Sequence, residues 1–159
     1  MIDGYVKKMR SKIGHDAMFM PTAGAIIYKD GKVLLQKRAD DGNWAMHGGG
    51  LNPDEEFLEA LSRELKEEMN IEPINPKLCG IYTGRNMFHK YPNGDKVYVV
   101  NHVFICEDFK GEIKFNDNEV KEFKWFDLDN LPENIIDVDI RPIKDIKLYL
   151  ENGREPIVR

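Results

Sequence analysis

The sequence predicts an α/β sandwich built on a mixed β-sheet, and three observations predict it. Two hairpin turns are flanked by strongly β-like runs, a long amphipathic helix lies between them, and a further helical pattern follows the last strand. With 159 residues, 42% of them hydrophobic, the chain can fill one core, so residues 1–159 read as a single domain. Its parts are a short helix at about 2–13, a core at about 20–133 and a C-terminal helix at about 139–152.

Tyr5, Val6, Met9 and Ile13 carry the helical spacing of the first segment. Residues 22–28 and 32–38 flank Lys29-Asp30-Gly31, where Asp-Gly favours the positive φ angles of a tight hairpin. Pro92-Asn93-Gly94-Asp95 signals a second hairpin, between strands near 78–89 and 96–106. A strand at 121–127 alternates, with Phe123 and Trp125 on one face. Between the hairpins, Asn52-Pro53-Asp54-Glu55 reads as a helix start, with Asn52 as cap and Pro53 at the first helical position. Leu58, Leu61, Leu65 and Met69 then form an apolar stripe facing the sheet, and Asn70 is suited to a left-handed helix end. Asp139 is placed to cap the last helix, which carries Ile140, Ile143, Ile146 and Leu150 and which Gly153 stops.

Composition narrows the function. The net charge of −5 disfavours a nucleic-acid partner, whose phosphates need a basic surface. No apolar run is long enough to span a membrane, and the first residues lack a secretory signal pattern, so no membrane partner and a cytoplasmic location are expected. Cys79 and Cys106 form no CxxC pair and read as buried thiols. The size is compatible with a homodimer, but no pattern specifies one.

Chemistry concentrates in residues 48–71. Glu64, Glu67 and Glu68 stand at i, i+3 and i+4, so their carboxylates share one side of the helix. Two carboxylates about 4 Å apart repel by about 4 kcal/mol at a partly shielded site. Arg63 and Lys66 offset part of this, and a hard divalent cation offsets it better. A solvated acidic face is the alternative for such a helix. Gly48-Gly49-Gly50 precedes it, and glycines let backbone N–H groups approach phosphate, so loop and helix together describe a diphosphate site.

The stretch GGLNPDEEFLEALSRELKEEMNI, residues 49–71, resembles the signature of the Nudix (MutT-like) hydrolases. Gly49, Glu55, Arg63, Glu64, Leu65, Glu67, Glu68 and Ile71 fall in register, and Asn70 replaces the final glycine. Asn52, Asp54 and His47 are softer departures, His47 standing where a proline is common. VLLQKR, Trp44, the YPNGD turn and WFDLDNLP extend the resemblance over roughly residues 20–133. It implies an α/β/α sandwich and an enzyme that cuts a pyrophosphate bond in a nucleoside diphosphate linked to another group, using Mg²⁺ or Mn²⁺.

The same resemblance implies that Glu64, Glu67 and Glu68 bind metal, with Glu64 alternatively helping a bound water lose its proton, that Arg63 orients them, and that Glu55 supports the loop and helix start. Glu119 is the candidate for a further ligand or general base, with Glu122 as runner-up and a merely solvated Glu119 as the alternative. Arg38, His47, Gly48, Gly49 and Gly50 are candidates for substrate contacts, an ordinary surface role being the alternative for Arg38. Trp44, Phe19, Tyr28, Tyr82, Phe88 and Tyr91 supply aromatics for stacking a base or for ordinary packing. A nucleotide sugar, ADP-ribose, a nucleoside triphosphate and a dinucleoside polyphosphate all remain open as the small-molecule nucleotide substrate. A second reading is a Nudix-fold module that binds such a metabolite without cutting it; a third is a plain acidic scaffold.

Overall fold

The computed structural model describes residues 3–114 and 119–159; the first residue or so of the expected N-terminal helix lies outside this range. Elements follow in the order α1 (Asp3–Ile13), β1 (Met18–Lys29), β2 (Lys32–Arg38), β3 (Trp44–Ala45), β4 (His47–Gly50), α2 (Phe57–Met69), β5 (Glu72–Pro73), β6 (Lys77–Tyr82), β7 (Phe88–Lys90), β8 (Lys96–Cys106), β9 (Phe109–Lys110), β10 (Val120–Asp127), α3 (Asp137–Glu151) and β11 (Ile157–Val158).

The main sheet runs β10-β2-β1-β8-β6-β11, with β3 on β2, β4 on β1 and β7 on β8. It is mixed because β1 runs parallel to β8 from Met18↔Val97 to Ile27↔Cys106, while β2 and β4 pair with β1 antiparallel. The first hairpin is as expected: Asp30 and Gly31 both have positive φ, and the register closes at Lys29↔Lys32. The second is shorter, because the strand expected at 78–89 ends at Tyr82 and resumes at Phe88 after a turn of 3₁₀ helix at Arg85–Met87.

Alternating strand residues feed two apolar layers. Ala23, Ala25, Ile27 and Leu34 pack with Ala60, Leu61, Leu65 and Met69 of α2 on one face. Ile26, Val33, Leu35, Val97, Val99 and Val103 pack with Val138, Ile143, Ile146 and Tyr149 of α3 on the other. The result is the α/β/α sandwich. Full burial of Leu61, Leu65 and Met69 stabilises α2 against the sheet by about 2 kcal/mol each.

Several boundaries differ from expectation for local reasons. α2 begins at Phe57, four residues later than Asn52-Pro53 suggested; Glu56 is its cap, in a capping box with Glu59. Asp54 has φ +69, so Asn52–Glu55 forms a turn, closed by the Glu55 N–H donating to the Asn52 carbonyl at 3.3 Å. Starting later leaves Leu58 49% exposed and outside the stripe, its place taken by Ala60. The C-terminal end is as read: Asn70 is left-handed, and its N–H and that of Ile71 satisfy the last carbonyls of the helix. Asp139 is no cap; α3 starts at Asp137 after Ile136, and Asp139 is buried inside its first turns. Phe123 and Trp125 share one face of β10 as expected, Phe123 packing on the α2 core and Trp125 more open to solvent, while Phe126 on the other face packs on the α3 core.

Candidate active site

The glycines come first, because they are a strand and not a loop. β4 pairs antiparallel with β1 through Thr22↔Gly50, Ala23↔Gly49, Gly24↔Gly48 and Ala25↔His47. This sets Gly48–Gly50 under the glutamate side of α2. The Gly48 N–H donates to Glu68 Oε2 at 2.9 Å and is therefore committed to a carboxylate, not offered to a phosphate. A Cβ on Gly49 would stand 2.6 Å from the Glu64 carboxyl carbon. The glycines thus let the carboxylates come down onto the sheet, and they form a strand where a loop was expected.

Glu64, Glu67, Glu68 and Glu119 line one cavity of about 1030 Å³, together with Gly48–Gly50, Gln36 and Arg38. Arg63 links the acidic groups: Nε and Nη2 donate to the two oxygens of Glu55 at 2.7 and 2.8 Å, and Nη1 donates to Glu64 Oε1 at 2.6 Å and lies 3.7 Å from Glu67 Oε2. That fork holds the Glu55 carboxyl at about 2. Glu55 also accepts the Asn52 N–H at 2.9 Å, so its role is to tie loop, helix and Arg63 together. Glu68 is half-buried, and desolvation pushes its carboxyl up to about 8 against the bonds from Gly48 and Gln36, with the charges of Glu64 and Glu119 adding to the rise.

In this close carboxylate cluster Arg63 is already committed to Glu55 and Glu64, and the cluster's charge favours further cations. That donor chemistry fits a hard divalent cation. Among the described residues, no group of three or more His, Cys, Asp or Glu side chains is arranged to hold a metal ion. Arg63 draws Glu64 aside and Gly48 holds Glu68.

The other predicted residues divide. Glu119 ends the turn before β10; its carbonyl accepts the Ala39 N–H at 2.9 Å, which fixes it beside the end of β2. The residues 115–118 leading to it lie outside the described range. Glu122 is exposed on β10, opposite Lys37 and away from the cavity wall. Arg38 reaches the cavity but is already forked onto Asp40, with Asp41 at 3.5 Å. His47 is 2% exposed, bonds the Leu34 carbonyl at 3.0 Å and meets Phe123 edge-on. Burial pulls it down to about 4, so it is a neutral packing residue. Trp44 and Tyr82 are core residues, Trp44 edge-on to Phe126; of the six aromatics, Tyr91 lines the cavity.

Gln36 and Asp139 were not anticipated. Gln36 donates to Glu68 Oε1 at 3.2 Å and to the Met46 carbonyl at 3.0 Å. The one available signal was an amide on the inward side of VLLQKR. Asp139 accepts the Met46 N–H at 2.7 Å, pinning α3 to the chain just before β4. Its burial pushes it up from 3.8 to about 6. Because the folded-state value is the higher one, the stabilisation is complete below about pH 4 and fades as the pH rises through about 6, by up to about 3 kcal/mol. Asp139→Asn is expected to flatten that part of the stability profile, read by denaturant unfolding of both proteins between about pH 4 and 7. Parallel profiles for the two proteins would show that Asp139 is not the group responsible.

Comparison with known proteins bears on this geometry. Residues 18–145 match the profile of the NUDIX domain. The chain is 38% identical over 131 residues to the ADP-ribose pyrophosphatase of Methanocaldococcus jannaschii, covering 80% of this chain and 72% of that protein. It is 32% identical over 130 residues to the nucleoside triphosphatase NudI of Escherichia fergusonii, covering 77% and 92%. Among solved structures, the MutT NUDIX hydrolase from Burkholderia pseudomallei superposes with a TM-score of 0.70 at 26% identity, over 81% of this chain and 98% of that one.

Proposed function

This chain belongs to the Nudix hydrolase family, and from that premise we propose that it hydrolyses a pyrophosphate bond in a nucleoside diphosphate linked to another group, with Mg²⁺ or Mn²⁺ bound by Glu64, Glu67 and Glu68. The observation that carries the reading is the acidic cleft over β4, where three α2 glutamates meet glycines that leave them room and an arginine already spent on Glu55 and Glu64.

A divalent cation bound there supplies the positive charge that the diphosphate oxygens need as the bond breaks. The protein's own residues do the rest. Arg63 holds Glu64 and Glu55 in place, and Gly48 and Gln36 orient the two oxygens of Glu68. Glu119, at the cavity wall, accepts the proton of the attacking water. Arg38, with its charge balanced by Asp40, borders the phosphate path and positions more than it attracts. ADP-ribose is the first substrate to try, given the named activity of the Methanocaldococcus relative. Residues 1–159 act as one catalytic unit in this reading, in the cytoplasm.

The test is a screen of ADP-ribose, nucleotide sugars, nucleoside triphosphates and dinucleoside polyphosphates with Mg²⁺ and Mn²⁺, identifying products by mass. At least one is expected to yield a nucleoside phosphate, with turnover abolished by chelator and restored by metal. Ligand-induced stabilisation without turnover would instead select a binding module.

A further inference from the structure

We propose that the part of the sheet left bare on the α2 side is an interface between two copies of this chain, packed face to face about a twofold axis. α2 and the chain around it cover β1 from Ala23 to Ile27 and β8 from His102 to Cys106, with Phe57 against His102 at a ring-centroid distance of 3.7 Å. The same two strands continue beyond that cover. Met18, Met20, Val97 and Val99 pack into the other core, so alternation turns Phe19, Pro21, Tyr98 and Val100 to the α2 side.

This bare end is aromatic. Phe19 is 73% exposed, Tyr98 40% and Phe88 36%. Phe19 and Phe88 flank Tyr98 in register from the strands on either side, with ring centroids 5.9 and 5.2 Å from it. Single exposed hydrophobics are ordinary, but three exposed rings in mutual contact mark a surface that another surface covers.

Charge says what covers it. Lys90 and Lys96 stand directly opposite each other at one end of the patch, on the face of Phe88 and Tyr98, an arrangement in which like charges repel. At the other end the chain crosses from Leu51, whose N–H donates to the Pro21 carbonyl at 3.1 Å, to Phe57, and this border carries Asp54 and Glu56, with Glu59 one turn on. Among the described residues, none of these five charges has an ion-pair partner. The patch is therefore basic at one end, acidic at the other and apolar between. A twofold axis that sets the strands of two copies antiparallel lays each basic end on the partner's acidic end. The layers also fit. Facing sheets pack about 10 Å apart, close to the thickness of one helix, so each α2 occupies the gap at its own end while the rings fill the middle. Lysines beside aromatic rings can also hold single-stranded nucleic acid, but the acidic border and the net charge of −5 oppose its phosphates.

Sedimentation velocity between about 1 and 100 μM tests this without any ligand or turnover. At the upper end of that range the parent is expected to show twice the 18.4 kDa chain mass. Phe19→Asp sets a charge among the closing rings and is expected to weaken association about a hundredfold, with a folded circular dichroism spectrum because that side chain lies mostly in solvent. Lys90→Glu with Lys96→Glu makes both ends acidic, and Asp54→Lys with Glu59→Lys makes both ends basic. Each of these doubles is expected to associate about tenfold more weakly than the parent, and an equimolar mixture to recover the parent's affinity as a heterodimer. A parent that stays monomeric at about 100 μM would overturn the interface, and oligonucleotide binding lost in Phe19→Asp would then give the patch to nucleic acid. Parent-like dimers of folded Phe19→Asp would also overturn it, as would folded charge-reversed doubles that dimerise alone as the parent does or fail to associate when mixed.

Discussion

Glu68→Gln is expected to lower kcat by about a thousandfold while the protein stays folded. Several kcal/mol of transition-state stabilisation pass through the metal and its carboxylates, and each 1.36 kcal/mol is a factor of about ten in rate. The amide is isosteric but neutral, and it cannot accept from both Gly48 and Gln36, which now donate to Oε2 and Oε1. The lost bond costs about 1 kcal/mol of stability, far less than would unfold the chain. Removing a half-buried carboxyl that desolvation already pushes up to about 8 further limits that cost. Steady-state kinetics with the substrate found in the metal screen, alongside a thermal melt, separate the two effects. Near-normal turnover would remove Glu68 from the machinery.

The neighbouring glycines are expected to fail in opposite ways. Gly48 has φ +115, and a Cβ there would stand 2.1 Å from the Ala23 carbonyl oxygen, a backbone atom of the paired strand β1. Neither the torsion nor the contact can relax without parting β4 from β1, so Gly48→Ala should cost more than about 3 kcal/mol and remove activity by unfolding. At Gly49 the Cβ would instead meet the end of a side chain, the Glu64 carboxylate, at 2.6 Å. That carboxylate can swing away, so Gly49→Ala should cost about 1 kcal/mol or less in stability yet lower kcat by about thirtyfold or more, because Glu64 leaves its bond with Arg63. Denaturant unfolding and kinetics on both variants distinguish the cases. A stable Gly48→Ala, or a fully active Gly49→Ala, would contradict this account of β4.

What could be read in advance was local. Asp30-Gly31 needed positive φ and has it; Asn70 ends its helix left-handed; Leu61, Leu65 and Met69 bury the side of α2 that their spacing marked. The i, i+3, i+4 spacing places Glu64, Glu67 and Glu68 on one side of α2 by helix geometry; the cavity they line is made by other elements. The misreadings share a cause, which is a partner distant in the chain or a conformation that residue types do not dictate. Asn52-Pro53 has the composition of a helix start, but Glu55 is drawn to Arg63 and Asp54 turns left-handed, so the helix waits until Phe57. Asp139 looked like a cap because its acceptor role was right and its donor was not: the N–H it bonds belongs to Met46, 93 positions away. The glycines suggested a loop whose N–H groups could approach a phosphate; in the strand they form, Gly49 leaves the space that the Glu64 carboxylate occupies and the Gly48 N–H bonds Glu68. Gln36 and Asn101 draw their meaning from strand register, which pairs residues that no short motif joins.

The central claim is that the α2 carboxylates hold a divalent cation against a diphosphate, and binding tests it more directly than rate. Mn²⁺ can be titrated into the parent protein and into Glu68→Gln, followed by electron paramagnetic resonance, with the uncleavable α,β-methylene analogue of ADP present to complete an open site. The parent is expected to take up Mn²⁺, and the variant to bind it at least about tenfold more weakly. Equal affinity in the two proteins, or no uptake by the parent, would contradict the claim.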